Sequence, residues 1–136
     1  MKDRFFLDSN ILLYAFGKDE YKKRIAKELM RQRLIISVQV INEICSVLFR
    51  KFNFSAIEIK DIFNFIKSKT EVKVVNMQTI EYCLYIKEKY NFSYWDSLII
   101  SSALENKCLI LYSEDMQSNQ IIEKQLMIIN PFLNKQ

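Results

Sequence analysis

Asp8, Glu43, Asp96 and Asp115 each sit just past an apolar run or in the opening turns of a helical one, in a chain of 136 residues that contains no histidine. Carboxylates at such places suit one chemistry above others. Like charges about 4 Å apart repel by roughly 1 kcal/mol in water and by about 4 kcal/mol near a protein surface, so acids gathered at one point call for a cation among them. Hard divalent ions such as Mg²⁺ and Mn²⁺ prefer carboxylate and water oxygens. One or two of them lower the pKa of a bound water, orient it in line with a phosphodiester and stabilise the leaving oxygen, with no need of a histidine base. The missing histidine argues against a histidine acid–base pair, an HExxH protease and most catalytic zinc sites.

Each acid also has a plainer reading. Asp8 can serve as a helix N-cap. Asp96 lies three residues after Ser93, as in a variant capping box, yet it shares a helical stripe with Ile99, Ile100 and Ala103 that turns it toward the interior. Glu43 stacks between Val40 and Val47, and Ser46 and Arg50 border the same stripe, as for an exposed helical glutamate. Asp115 ends the polar break Tyr112-Ser113-Glu114-Asp115, which suits a turn. One such acid carries no argument; four at matching positions do.

The elements that must position them follow from periodicity. Strands are expected over residues 4–7, 34–38, 72–75, 108–112 and 127–129, and helices over 9–16, 18–31, 39–52, 78–90 and 94–105. A further helix starts at the cap Ser55, with Ile57, Ile59, Ile62, Phe63 and Ile66 inward. Strands alternate with helices throughout, the pattern of an α/β fold whose mostly parallel sheet of four to five strands is covered on both faces. The length suits a single domain over 1–136. In such a sheet the four acids fall at the rim where ligands bind.

Composition bounds the class. Half the residues are apolar and 26% are charged, a globular balance. No run approaches the eighteen apolar residues of a membrane helix, and residues 1–8 lack the apolar core of a signal peptide, so a cytoplasmic protein with no membrane role is expected. Cys45, Cys83 and Cys108 are too scattered for a disulfide framework or a thiolate metal site and read as core residues. The net charge of +4 suits a polyanionic partner but decides little alone. Lys22, Lys23, Arg24, Lys27, Arg31 and Arg33, with Arg50 and Lys51 near Glu43, are either phosphate contacts or solvated helix faces. Tyr94 and Trp95 read first as core aromatics and second as stacking surfaces for unpaired bases.

Four segments carry a family resemblance: Leu7-Asp8-Ser9-Asn10-Ile11-Leu12-Leu13-Tyr14, Val40-Ile41-Asn42-Glu43, Tyr94-Trp95-Asp96-Ser97-Leu98-Ile99 and Leu111-Tyr112-Ser113-Glu114-Asp115-Met116-Gln117. In this order and spacing the chain resembles PIN-domain nucleases, in particular the small toxin ribonucleases of VapC-type toxin–antitoxin pairs. The resemblance implies a three-layer α/β/α sandwich and a metal-dependent endoribonuclease. It implies Asp8, Glu43, Asp96 and Asp115 as metal-binding and catalytic acids, with Asn10 and Ser113 as supporting groups and Glu114 as a possible additional acid. It further implies Mg²⁺ or Mn²⁺ as cofactor, RNA such as tRNA as substrate, a homodimer, and a small antitoxin protein as partner. Relatives often place glycine soon after the last motif, where this chain has Gln117, Ser118 and Asn119; Asn119 is able to take the left-handed conformation glycine would take.

Two other readings compete. A PIN-like nuclease of RNA processing, or one acting on DNA, would use the same residues. A non-catalytic regulatory α/β domain such as a phosphorylation receiver wants an aspartate after the third strand, where this chain has Asn76.

Overall fold

A computed structural model describes residues 4–133. Its elements in chain order are β1 (Phe5–Leu7), α1 (Ser9–Tyr14), α2 (Glu20–Leu29), β2 (Leu34–Ser37), α3 (Val38–Arg50), α4 (Ala56–Lys69), β3 (Thr70–Lys73), α5 (Met77–Tyr90), α6 (Tyr94–Glu105), β4 (Ile110–Tyr112), β5 (Ile121–Ile122) and β6 (Leu126–Ile129). The strands form one six-stranded sheet in the order β3-β2-β1-β4-β6-β5, parallel throughout except for β5 against β6.

Short side-chain caps start each of the six described helices. Asp8, Asp19, Ser37, Ser55, Asn76 and Ser93 each accept a hydrogen bond from a backbone N–H of the first turn, and Ser55 with Glu58 completes a reciprocal capping box. Caps of this kind are worth about 1 kcal/mol each. The strands are apolar because helices cover both faces: Leu34, Ile35, Ile36 and Ser37 are all buried, as are Phe6, Leu7 and Leu111. Helices α1 to α4 pack as one connected set and α5 with α6 as another, giving the expected layered α/β sandwich. Among the described residues no helix is long and apolar enough to cross a membrane.

The sheet has six strands where four to five are expected. The additional strand, β5, is two residues long and joins β6 through a tight turn in which Glu123 and Lys124 have φ of 55° and 57°. The third strand begins at Thr70, earlier than expected, because Thr70 pairs with Leu34 as soon as α4 ends and the register runs to Ser37 and Lys73. Val74 then leaves the sheet exposed. Of the cysteines, Cys83 and Cys108 are buried and Cys45 is half-buried, and all three are free thiols.

β1 lies at the sheet centre between β2 and β4, so the chain leaves it toward one edge and returns on its other side. Parallel sheets open a crevice at such a switch point, past the carboxyl ends of the strands. Asp8 follows β1 there, and Ser113 follows β4.

Candidate active site

Asp8 is the most confined of the acids, 5% exposed at the end of β1. Its Oδ1 accepts from the Ser9 backbone N at 2.7 Å and faces Ser9 Oγ at 3.4 Å, while Oδ2 accepts from Ser113 Oγ at 3.0 Å. It is therefore both the N-cap of α1 and a charged group turned toward the crevice. Burial pushes its pKa up to about 6; the bonds from Ser113 and Ser9 act the other way, and the charges of Asp96 and Glu43 raise it further.

Glu43, one turn into α3, is half-buried and turned to the same place, not the exposed helical glutamate of the plainer reading. Its Oε2 accepts from Ser9 Oγ at 3.1 Å, and its Oε1 is buried with no hydrogen-bond partner. Ser9 has one hydroxyl hydrogen and two carboxylates within reach, so it cannot satisfy both.

Asp96 stands in the first turn of α6, half-buried, its N–H bonded to Ser93 Oγ at 3.1 Å. Burial raises its pKa, the hydrogen bond with Ser93 lowers it, and the charge of Asp115 raises it again. Asp115 is exposed on the segment after β4, where its Oδ2 accepts from Asn10 Nδ2 at 2.8 Å. The charges of Glu43 and Asp96 thus reach Asp8, and that of Asp115 reaches Asp96. Four distant stretches of chain bring their carboxylates into one field.

The remaining site candidates divide. Ser113 and Asn10 each hold one of the four acids. Glu114 points elsewhere, its carboxylate accepting from Tyr14 Oη and Lys22 Nζ, so Lys22 is engaged within the fold and is not a free phosphate contact. Ser9 is a residue that sequence reasoning missed, although it stands inside the first motif; the only signal was its position between Asp8 and Asn10. Trp95 departs from the expected core packing: it is 56% exposed, beside Asp96, and meets Tyr94 edge-on at 5.1 Å. Trp95 stands in the first turn of α6, and the buried run of that helix starts two residues later at Ser97.

Whether these residues suit a metal ion follows from the donors. Among the described residues the side chains do not close into a group of three that grips an ion as they stand; Asp8 and Asp115 are turned instead to Ser9, Ser113 and Asn10. The set is nonetheless all oxygen, it holds a buried carboxylate facing two others, and it leaves Glu43 Oε1 unpartnered. Those are the traits of a site for a hard divalent ion that keeps part of its water.

The family model described as PIN domain matches residues 5–121. The chain belongs to the PIN domain family. Solved structures share the fold of this PIN domain at low identity. A toxin–antitoxin complex from Klebsiella pneumoniae is 16% identical over 93% of this chain and 96% of that one, with a TM-score of 0.70. VapC20 of Mycobacterium tuberculosis, described as a sarcin-ricin loop cleaving toxin, is 15% identical over 82% and 89%, with a TM-score of 0.68. VapBC2 from Rickettsia felis, bound to a DNA fragment from its promoter, is 16% identical over 93% and 98%, with a TM-score of 0.66. No curated protein matches the sequence.

Away from the acids, the PIN domain carries a cavity of about 670 Å³. Phe16, Met30, Ile62 and Phe65 are among its apolar walls, and Lys23, Lys27, Arg31 and Lys69 give it a basic rim.

Proposed function

We propose that this PIN domain is a metal-dependent endoribonuclease, the toxin of a toxin–antitoxin pair, acting in the cytoplasm. The observation that carries the reading is the approach of the four carboxylates, Asp8 in the field of Glu43 and Asp96 and Asp96 in that of Asp115, with a buried Glu43 oxygen left without a partner. Asp8, Glu43 and Asp96 would hold Mg²⁺ or Mn²⁺, with Asp115 completing the set. When bound, the ion supplies an activated water and charge stabilisation at a phosphodiester.

The chain's own residues do the rest. Ser113 and Ser9 orient the Asp8 carboxylate, Ser9 also steadies Glu43, and Asn10 aims Asp115. Groups that orient metal ligands in this way count for nearly as much as the ligands. Trp95, exposed beside Asp96, offers a face on which an unpaired base stacks. Arg50 and Lys51, exposed at the end of α3, supply phosphate contacts that add affinity without sequence choice.

The partner assignment draws on the toxin–antitoxin complexes of the same fold and on the basic-rimmed apolar cavity, which suits an amphipathic segment with acidic flanks. The homodimer belongs to the same reading. Met77, Leu84 and Tyr85 lie on one face of α5 and are exposed, as a self-complementary contact about a twofold axis requires.

The test is cleavage of a structured RNA such as tRNA by the purified protein with Mg²⁺ or Mn²⁺. Activity should vanish with EDTA and in Asp8→Ala and Asp96→Ala at unchanged fold. Cleavage that persists in EDTA, or full activity in both variants, rejects the mechanism.

A further inference from the structure

We infer that Tyr14 and Lys22 are positioning residues for the metal site, acting through Glu114 to hold the segment that presents Ser113 and Asp115. This deepens the nuclease reading and rests on it.

Residues 113–115 alternate in direction. Ser113 Oγ turns to Asp8 and Asp115 Oδ2 to Asn10, both on the crevice side, while Glu114 between them turns away to Tyr14 and Lys22. Glu114 is gripped at its backbone as well, where Asn130 Nδ2 donates to its carbonyl at 3.4 Å. The gripping pair is itself fixed. Lys22 Nζ donates to Tyr14 Oη at 3.2 Å and lies 4.6 Å from the centre of the Tyr14 ring and 5.3 Å from that of Phe132, and those two rings meet edge-on at 5.3 Å. Tyr21 Oη, on the same helix as Lys22, donates to the Phe132 carbonyl at 3.1 Å.

An ammonium placed over two rings and bonded to a carboxylate has little freedom left, and its partner carboxylate inherits that restriction. Two helices that contribute no carboxylate to the crevice beyond Asp8 at its edge thereby anchor the loop after β4. Without the anchor, the side chains of that loop keep the Asn10 and Ser113 bonds, each of which also serves an acid facing other acids, while the backbone keeps the Asn130 bond to the Glu114 carbonyl and the bond from the Ser113 N–H to Ile129. The segment would sample orientations in which Asp115 leaves the crevice.

The experiment uses the full chain with Lys22→Met, Lys22→Arg, Glu114→Gln and Tyr14→Phe. Mn²⁺ affinity is read by calorimetry, kcat and KM on an RNA oligonucleotide, and hydrogen exchange at the amides of residues 113–116. Expected for Lys22→Met and Glu114→Gln are a Mn²⁺ affinity and a kcat each about 10- to 100-fold lower, KM within about twofold, and faster exchange in 113–116. Lys22→Arg should restore most of each. Tyr14→Phe keeps the ring contact with Phe132 and should give an intermediate loss, so it remains informative should Lys22→Met fold poorly.

Unchanged Mn²⁺ affinity and kcat in folded Lys22→Met overturn the inference, as does a rise in KM alone, which would mean that Lys22 touches RNA. Wild-type protein that neither binds Mn²⁺ nor cleaves RNA defeats the nuclease reading instead. The anchoring role is then judged on exchange alone, supported by faster exchange in 113–116 and overturned by none.

Discussion

Glu114 and Asp115 are neighbours in the chain and opposites in environment. Glu114 is part-buried against a lysine and a tyrosine; burial works to raise its pKa, yet the hydrogen bonds from Lys22 and Tyr14 and the Lys22 charge hold it below the ordinary glutamate range. Asp115 accepts a hydrogen bond from Asn10 and sends its charge onto Asp96. A carboxylate beside a cation within the fold is a structural part, and removing it leaves the cation stranded. A carboxylate facing other carboxylates is a cost to the fold that a proton or a bound cation offsets. The contrast separates two environments: Glu114 is satisfied within the fold, whereas Asp8 and Asp96 carry the charges of other carboxylates.

Asp8 is the sharpest point at which to break that contrast, because it is the more buried of those two. Asp8→Asn should lower RNA cleavage by at least about a hundredfold while stabilising the metal-free protein at pH 7. The sign follows from the shift. The folded-state pKa of about 6 lies above the unfolded value of 3.8, so the native state binds the proton more tightly, and stability contributed by Asp8 is lost as pH rises from about 4 through 6. A shift of about two units corresponds to roughly 3 kcal/mol at most. Thermal melts of the metal-free wild type from pH 4.5 to 7.5 should therefore show a decline that is smaller in Asp8→Asn, where Asp96, its pKa also raised, contributes what is left. An identical profile in the two proteins would remove Asp8 from that second environment.

Divalent ions should reverse the same penalty. At pH 7, Mn²⁺ at about a hundred times its dissociation constant adds roughly 2.7 kcal/mol to a protein that binds it only when folded. Melting temperature should rise and saturate with Mn²⁺ in the wild type and stay flat in Asp8→Asn. Glu114→Gln, by contrast, should lose stability with or without the ion, since its partner Lys22 is left without its counter-charge. Trp95→Ala tests the contrast from the substrate side. Stacking of a base on an aromatic ring is worth about 1–3 kcal/mol, so KM for RNA should rise at least about fivefold, with the melting temperature unchanged for a residue this exposed.

How much of this was legible in the sequence depends on what signal each element leaves. Asp8 could be placed because an apolar run ends just before it and a parallel sheet carries run ends to one rim, whereas Asn10 and Ser113 are expected from the family resemblance alone. Ser9 could not, since a serine after an N-cap is common and its bridge to Glu43 exists only once α3 is folded against α1. Lys22 looked like one more lysine on a basic helix, and nothing local tells that its ammonium lies over Tyr14 and meets Glu114, some ninety residues on. Trp95 reads as core because aromatic residues usually are, whereas α6 is buried on all sides only from Ser97 to Leu104 and its first turn stays open to solvent. β5 escaped because a two-residue strand leaves no period to read and its turn lacks the Asn-Gly signature of tight hairpins.

That turn leads to the smallest effect and the finest test of the division between scaffold and site. The chain's single glycine, Gly17, is not among the residues with positive φ; that conformation falls on Asn53, Asn91, Lys107, Asn119, Glu123 and Lys124. Asn119, where relatives often have glycine, takes φ 71° and donates its N–H to the Ile128 carbonyl, so asparagine does the work of the missing glycine. Asparagine tolerates this region better than other side chains, and alanine tolerates it poorly. Asn119→Ala should thus cost about 1 kcal/mol, and Asn119→Gly should be close to neutral. Lys124→Gly, at φ 57° on an exposed turn, should gain about 0.5–1 kcal/mol. None of the three should change kcat, because the left-handed turns fasten β5 and β6 and touch none of the four acids. A fall in kcat for Asn119→Ala at equal folded fraction would mean that the loop after Asp115 is held from this end as well as from Lys22.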